Sequence, residues 1–181
     1  MPLIEDVEPS ALRLGSARDL GAMTVIPIEG GTSQLQLVSK DRLGDVLCLW
    51  EPVVFRGDGT EARKTIVFEI PADVQQKVEQ IEETIRKSLQ LSSRVAWHSS
   101  LKDNTMRAKI RMTAPKACTY VSINGEPVHQ PEAWRHLEVI PVLELKSVYK
   151  QPTMAGIVWE CVALMVGECR KDDVVLDYEF V

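Results

Sequence analysis

The sequence predicts a mainly β, β-rich α+β fold, a barrel or sandwich of strands with one packed amphipathic helix. Three observations carry that prediction. Two long runs, Val139 to Tyr149 and Ile157 to Val166, are rich in β-branched and aromatic residues, and the short loop between them holds Pro152 and Gly156. That is a strand, turn and strand signature, although periodicity alone does not distinguish the second run from a buried helix. Several shorter segments alternate polar and apolar residues with the period of two that a half-buried strand requires. Only Pro71 to Leu91 carries its apolar residues at sustained helical spacing.

With 181 residues the chain suits one domain of ordinary size. Residues 1–22 hold Pro2, Pro9, Gly15 and Gly21 among mixed charges, which predicts an irregular or partly mobile arm, with room for a short helical turn near Ser10 to Leu14. Residues 23–181 are expected to form a single β-rich domain. From Met23 to Trp50 the pattern is strand, turn, strand, with MTVIPI, the glycine pair in EGGTS, QLQLV, a turn at KDRLGD, and VLCLW. Two more strands flank RGDGT, where Asp58-Gly59 is a turn signal because glycine takes positive φ without steric cost. An integrin reading of the RGD triplet needs an extracellular protein and is set aside.

In the helix, Val74, Val78, Ile81, Ile85 and Leu89 fall on one stripe and the other faces are charged, so it should pack on a sheet. Pro71 suits the first turn, and Arg86 and Lys87 suit the negative end of the macrodipole. Its polar face mixes Glu and Lys, which disfavours a membrane surface. After a loop or edge strand over residues 92–105, MRAKIRM alternates strictly. Arg107, Lys109 and Arg111 should share one face while Ala108, Ile110 and Met112 share the other. Asn124-Gly125, between β-prone residues, is the best short-range hairpin signal. In the last long strand only Glu160 interrupts two apolar faces, so that strand should be covered on both sides. The segment ECRKDDVVLDYEFV offers a turn and then a strand or an acidic tail.

Charge and composition narrow the function. No apolar run approaches the roughly 20 residues needed to cross a bilayer, and the N-terminal stretch lacks the features of a secretory signal. Cys48, Cys118, Cys161 and Cys169 form no CxxC pair, which points to reduced, buried thiols in an intracellular protein, cytoplasmic or nuclear. The net charge of -5 is unevenly spread: residues 1–80 carry 8 basic and 13 acidic side chains, residues 81–150 carry 11 and 7, and residues 151–181 carry 2 and 6. The middle is basic and both ends are acidic.

No phosphate-loop motif is present, so nucleotide hydrolysis of that type is not expected. His98, His129 and His136 are dispersed and lack the spacing of a metal site. Glu82 and Glu83 read as the solvated side of the helix, and Asp172 and Asp173 as a turn, so neither pair is placed like two carboxylates facing a substrate. No catalytic constellation and no cofactor is predicted. What remains is binding, by cations that track phosphates and flat side chains that stack on bases. The candidates are Arg107, Lys109, Arg111, Lys116, Lys146 and Lys150 for phosphate, with Trp97, Tyr120, Trp134 and Tyr149 for stacking. The plain alternative is that these aromatics belong to the core and these cations to a solvated face.

The segments LEVIPVLELKSVYK and AGIVWECVALMVGE, with the short loop between them, resemble the C-terminal half of OB-fold single-stranded-DNA-binding proteins of phages and large DNA viruses. The basic strand and the SINGEPV hairpin that precede them follow the same order of elements, so the resemblance covers residues 105–168. It implies an OB-like barrel of viral origin that binds single-stranded DNA, or RNA, during replication. It further implies a homo-oligomer without membrane attachment whose acidic C-terminus, here DDVVLDYEFV, engages replication proteins. The rival expectation is a structural or assembly subunit, such as a β-sandwich capsid protein, whose two-sided apolar strands are buried against neighbours.

Overall fold

Two long strands, β11 (Leu137–Lys150) and β12 (Met154–Cys169), form an antiparallel pair that the other strands join. This is the computed structural model of the chain; it describes residues 1–31, 34–39, 45–54 and 59–169, with 168 and 169 given by backbone alone. The expected turns at KDRLGD and Asp58-Gly59, the RGD triplet and the C-terminal turn and tail lie wholly or partly outside the described residues.

In chain order the other strands are β1 (Arg13–Leu14), β2 (Arg18–Asp19), β3 (Thr24–Glu29), β4 (Leu35–Gln36), β5 (Leu47–Cys48), β6 (Arg63–Glu69), β7 (Ala96–His98), β8 (Leu101–Lys102), β9 (Thr105–Arg111) and β10 (Thr119–Ser122). The fold is mainly β, with one long helix among the described residues, α1 (Ala72–Leu89), between β6 and β7. Neither described 3-10 turn nor α1 is long and apolar enough to cross a membrane.

The pairing closes on itself. β11 pairs with β5, β5 with β6, β6 with β9 and β9 with β12, which returns to β11. In this ring of five only β9 and β12 run parallel. Their length lets β11 and β12 carry further partners: β11 also pairs with β4 and β3, and β12 with β7 and β10. Closure leaves one face of every ring strand inside. Phe68, Ile66, Met106, Ile110, Leu143, Trp159 and Cys161 are buried there, which explains the apolar positions of the alternating segments.

The helix behaves as its stripe predicts. Val74, Val78, Ile81 and Ile85 are buried, and Gln90 ends the helix in a left-handed conformation. Glu82 departs from the expected solvated side: it is only 3% exposed. Its carboxylate accepts hydrogen bonds from Ser99 Oγ at 2.6 Å and Ser100 N at 3.0 Å, and also from Ser100 Oγ. A buried carboxylate is tolerable when its lone pairs are satisfied in this way.

The first 22 residues are irregular, as their prolines and glycines imply, but they are not a loose arm. They contain two 3-10 turns, Ile4–Asp6 and Pro9–Ala11, and both β1 and β2 pair with β3. Ile4, Val7 and Leu12 enter the core, so burial fixes a segment that has no period of its own.

Two of the three register shifts in the β11–β12 pair, each a one-residue bulge, alter which side chains face the core. Leu145 pairs with Trp159 and Ser147 with Val158, so Lys146 is an extra residue on β11; Val162 is likewise extra on β12, between the Leu143–Cys161 and Val142–Ala163 pairs. Each bulge reverses the alternation beyond it. On β12 the buried side chains change from Ile157, Trp159 and Cys161 to Leu164.

Candidate nucleic-acid interface

The outward face of β9 carries the cations that its alternation predicts. Met106, Ala108 and Ile110 are buried, while Arg107 is exposed and Lys109 and Arg111 are half-exposed. On β6, Arg63 stands opposite Arg111 and Thr65 opposite Lys109; on β12, Glu160 stands opposite Lys109 from the other side. The bulge at Lys146 then brings both Lys146 and Tyr149 to this face, although an unbroken strand would send them to opposite sides.

These residues line an open groove with a cavity volume of about 840 Å³. It is also lined by Met23, just before β3, by Val25 on β3, and by the segment His98 to Ser100. Among the described lining residues are six cations, Arg63, Arg107, Lys109, Arg111, Lys116 and Lys146, and one carboxylate, Glu160. A protein with a net charge of -5 has therefore concentrated positive charge in one cleft. Away from these cations the groove is bordered by Tyr149 and Met154, with the core side chains of Ile157 and the 1%-exposed Trp159 beneath it.

Local contacts hold the cations in place. Arg111 Nε donates to Glu160 Oε1 at 2.9 Å, and Lys146 Nζ lies 3.9 Å from Glu160 Oε2 and also pairs with Glu144. Lys109 Nζ donates to Thr65 Oγ1 at 3.2 Å. Arg107 donates to the Ser99 carbonyl at 3.1 Å, and Ser99 is itself held by the buried Glu82, so the helix steadies one rim of the groove. Glu160 is 7% exposed and its two cationic neighbours offset the cost of burying it.

Six of the ten residues expected to bind line this groove: Arg107, Lys109, Arg111, Lys116, Lys146 and Tyr149. The other four do not. Lys150 is exposed at the end of β11 outside the groove, opposite Thr24. Trp97 alternates with His98 on β7 and faces a separate shallow depression beside Arg86 and Lys87 at the end of α1. Trp134 is 4% exposed and packs in the core, where it meets Tyr120 edge to face with ring centroids 6.1 Å apart. The Tyr120 hydroxyl is buried, and that burial pushes its pKa above the ordinary phenol range. The core covers the Trp134 ring, whereas Tyr120 packs against the core and is half-buried.

Arg63 and His98 line the groove without having been singled out. The alternation of Arg63 with Thr65, against buried Ile66 and Phe68, is a signal that could have found Arg63. His98 has no such signal, because it reaches the groove through the pairing of β7 with β12. Among the described residues no group of three or more His, Cys, Asp and Glu side chains is placed to hold a metal ion. No protein-family model matches the chain, and no curated protein matches its sequence.

Proposed function

We propose that the chain binds single-stranded nucleic acid, DNA in the first instance, without catalysis. The observation that carries this reading is the cationic groove on a strand-built barrel, with six cations against one carboxylate in a chain whose net charge is negative. Cations along β9 recur every second residue, about 6 to 7 Å apart, a spacing comparable to that of phosphates along one strand of nucleic acid. Tyr149 supplies a flat surface at the border of the groove, where an unpaired base stacks without regard to sequence. A closed five-strand ring is also what the resemblance to viral OB-fold proteins leads one to expect, and it supports the same reading.

The test is size-exclusion chromatography of the purified protein with and without a labelled single-stranded oligonucleotide at low salt. A binding protein comigrates with the label and releases it as salt rises, because phosphate contacts displace condensed counterions. A protein that ignores the label and elutes alone as a large particle is an assembly subunit instead.

A further inference from the structure

We propose that the groove takes about three nucleotides, seating one phosphate in a clamp made by Arg63 and Arg111 and one base on Tyr149 at the far end, with the spacing set by the strand rise. This rests on the single-strand reading above and adds the position and length of the ligand.

Arg63 and Arg111 stand directly opposite each other in the antiparallel β6–β9 pair. Opposed residues have Cβ atoms about 5 Å apart, and like charges there repel. Glu160 answers only part of this charge. Its contact with Arg111 is through Nε, which leaves the two terminal amino groups of that guanidinium to meet a ligand. Among the described residues Arg63 has no ion-pair partner, and its Nε is buried without a hydrogen bond. The backbone beneath it is fixed: Arg63 N donates to the Thr60 carbonyl at 3.0 Å, and Thr60 N donates back to the Arg63 carbonyl at 2.9 Å. Two planar guanidinium groups on a rigid turn and strand make a fork suited to phosphate oxygens.

Distances along the strands set the length. Tyr149 pairs with Gly156 and Glu160 pairs with Lys109. Gly156 to Glu160 is about 13 Å at the strand rise, and Lys109 to Arg111 adds about 7 Å. The clamp and the stacking surface are therefore about 20 Å apart, or about three intervals of the cation spacing along β9.

Fluorescence anisotropy with labelled oligothymidylates of two to eight nucleotides tests this. Affinity should climb steeply up to three or four nucleotides and then rise only slowly. Arg63→Gln should weaken binding about tenfold or more, as expected for a charged hydrogen bond, and flatten the salt slope by about 0.7. Arg63→Lys should keep the slope but regain only part of the affinity, because a point charge replaces a fork. It also serves as the readout if the Gln variant does not fold. If a folded variant of either kind binds with the parent's affinity, the clamp is wrong while the single-strand reading stands. Affinity still rising tenfold between six and eight nucleotides would overturn the length. A parent protein that binds no oligonucleotide at low salt overturns the reading beneath both.

Discussion

The ring of Tyr149 occupies the space above Gly156, its partner across the β11–β12 pair: a Cβ at position 156 would lie 2.8 Å from Tyr149 Oη and 2.9 Å from Cε1. The same Cβ would come within 2.6 Å of the His98 carbonyl oxygen on β7. Glycine here lets three strands close together at the border of the groove. Its role is to leave room for neighbours, and a positive φ is not involved.

Gly156→Ala should therefore displace Tyr149 and strain the β7–β12 pairing, at a cost of about 1 to 3 kcal/mol as for other overpacked sites. Thermal melting reads the cost. Binding of a labelled oligonucleotide should weaken with it, and Tyr149→Ala should lose about 1 to 3 kcal/mol of affinity if a base stacks there. An alanine variant as stable as the parent would show that the strands have slack.

Ile81 is fully buried in the stripe that α1 presents to the core. Ile81→Asp should cost several kcal/mol, roughly 3 or more, because it removes apolar burial and inserts an unpaired charge. Unchanged denaturant unfolding in that variant would refute the packing of this helix.

Arg107 and Arg111 share a face but should respond differently to loss of charge. Arg107→Gln removes an exposed cation that donates to the Ser99 carbonyl, so stability should hold within about 0.5 kcal/mol. Arg111→Gln leaves the nearly buried Glu160, among the described residues, with the Lys146 cation at 3.9 Å, and should destabilise the fold by about 1 to 3 kcal/mol. Paired urea titrations check the difference. For binding, the combined Arg107, Lys109 and Arg111 to Gln variant should flatten the salt slope by about 2, at about 0.7 per phosphate contact.

Cys161 gives the fold a pH dependence at the alkaline end. Burial, and then the neighbouring Cys118, pushes its thiol well above the ordinary range. In the unfolded chain a thiol ionises near pH 8.5, while in the fold this one stays protonated. Above that pH the unfolded state binds fewer protons than the native state, so stability is intact below about pH 8 and falls as pH rises, by up to about 1.4 kcal/mol per unit. The raised Tyr120 phenol adds a loss of the same sign above about pH 10. Urea unfolding from pH 7 to 10 should show the decline, and Cys161→Ala should flatten its first part.

Local periodicity by itself determined the parts of this protein whose faces differ in polarity. The stripe of α1, the outward row Arg107, Lys109 and Arg111, the Asn124-Gly125 hairpin and the pairing of the last two strands all follow from residue spacing, and each is present. Tertiary structure alone decided what those faces meet. The bulge at Lys146 changes the parity of β11 and so brings Lys146 and Tyr149 into one groove, and nothing in LELKSVYK marks the extra residue. Trp134 and Tyr120 look the same in sequence as Tyr149, yet Trp134 is buried and the half-buried Tyr120 packs edge to face on it, a placement set by contacts outside their own segments. Glu82 reads as solvated on its helix, and only the arrival of Ser99 and Ser100 makes a buried carboxylate tenable. The physical reason is common to all three. A side chain's direction along its own element is a local property, whereas register, bulges and ring closure depend on strands distant in sequence, whose pairing is decided by the free energy of the whole assembled core.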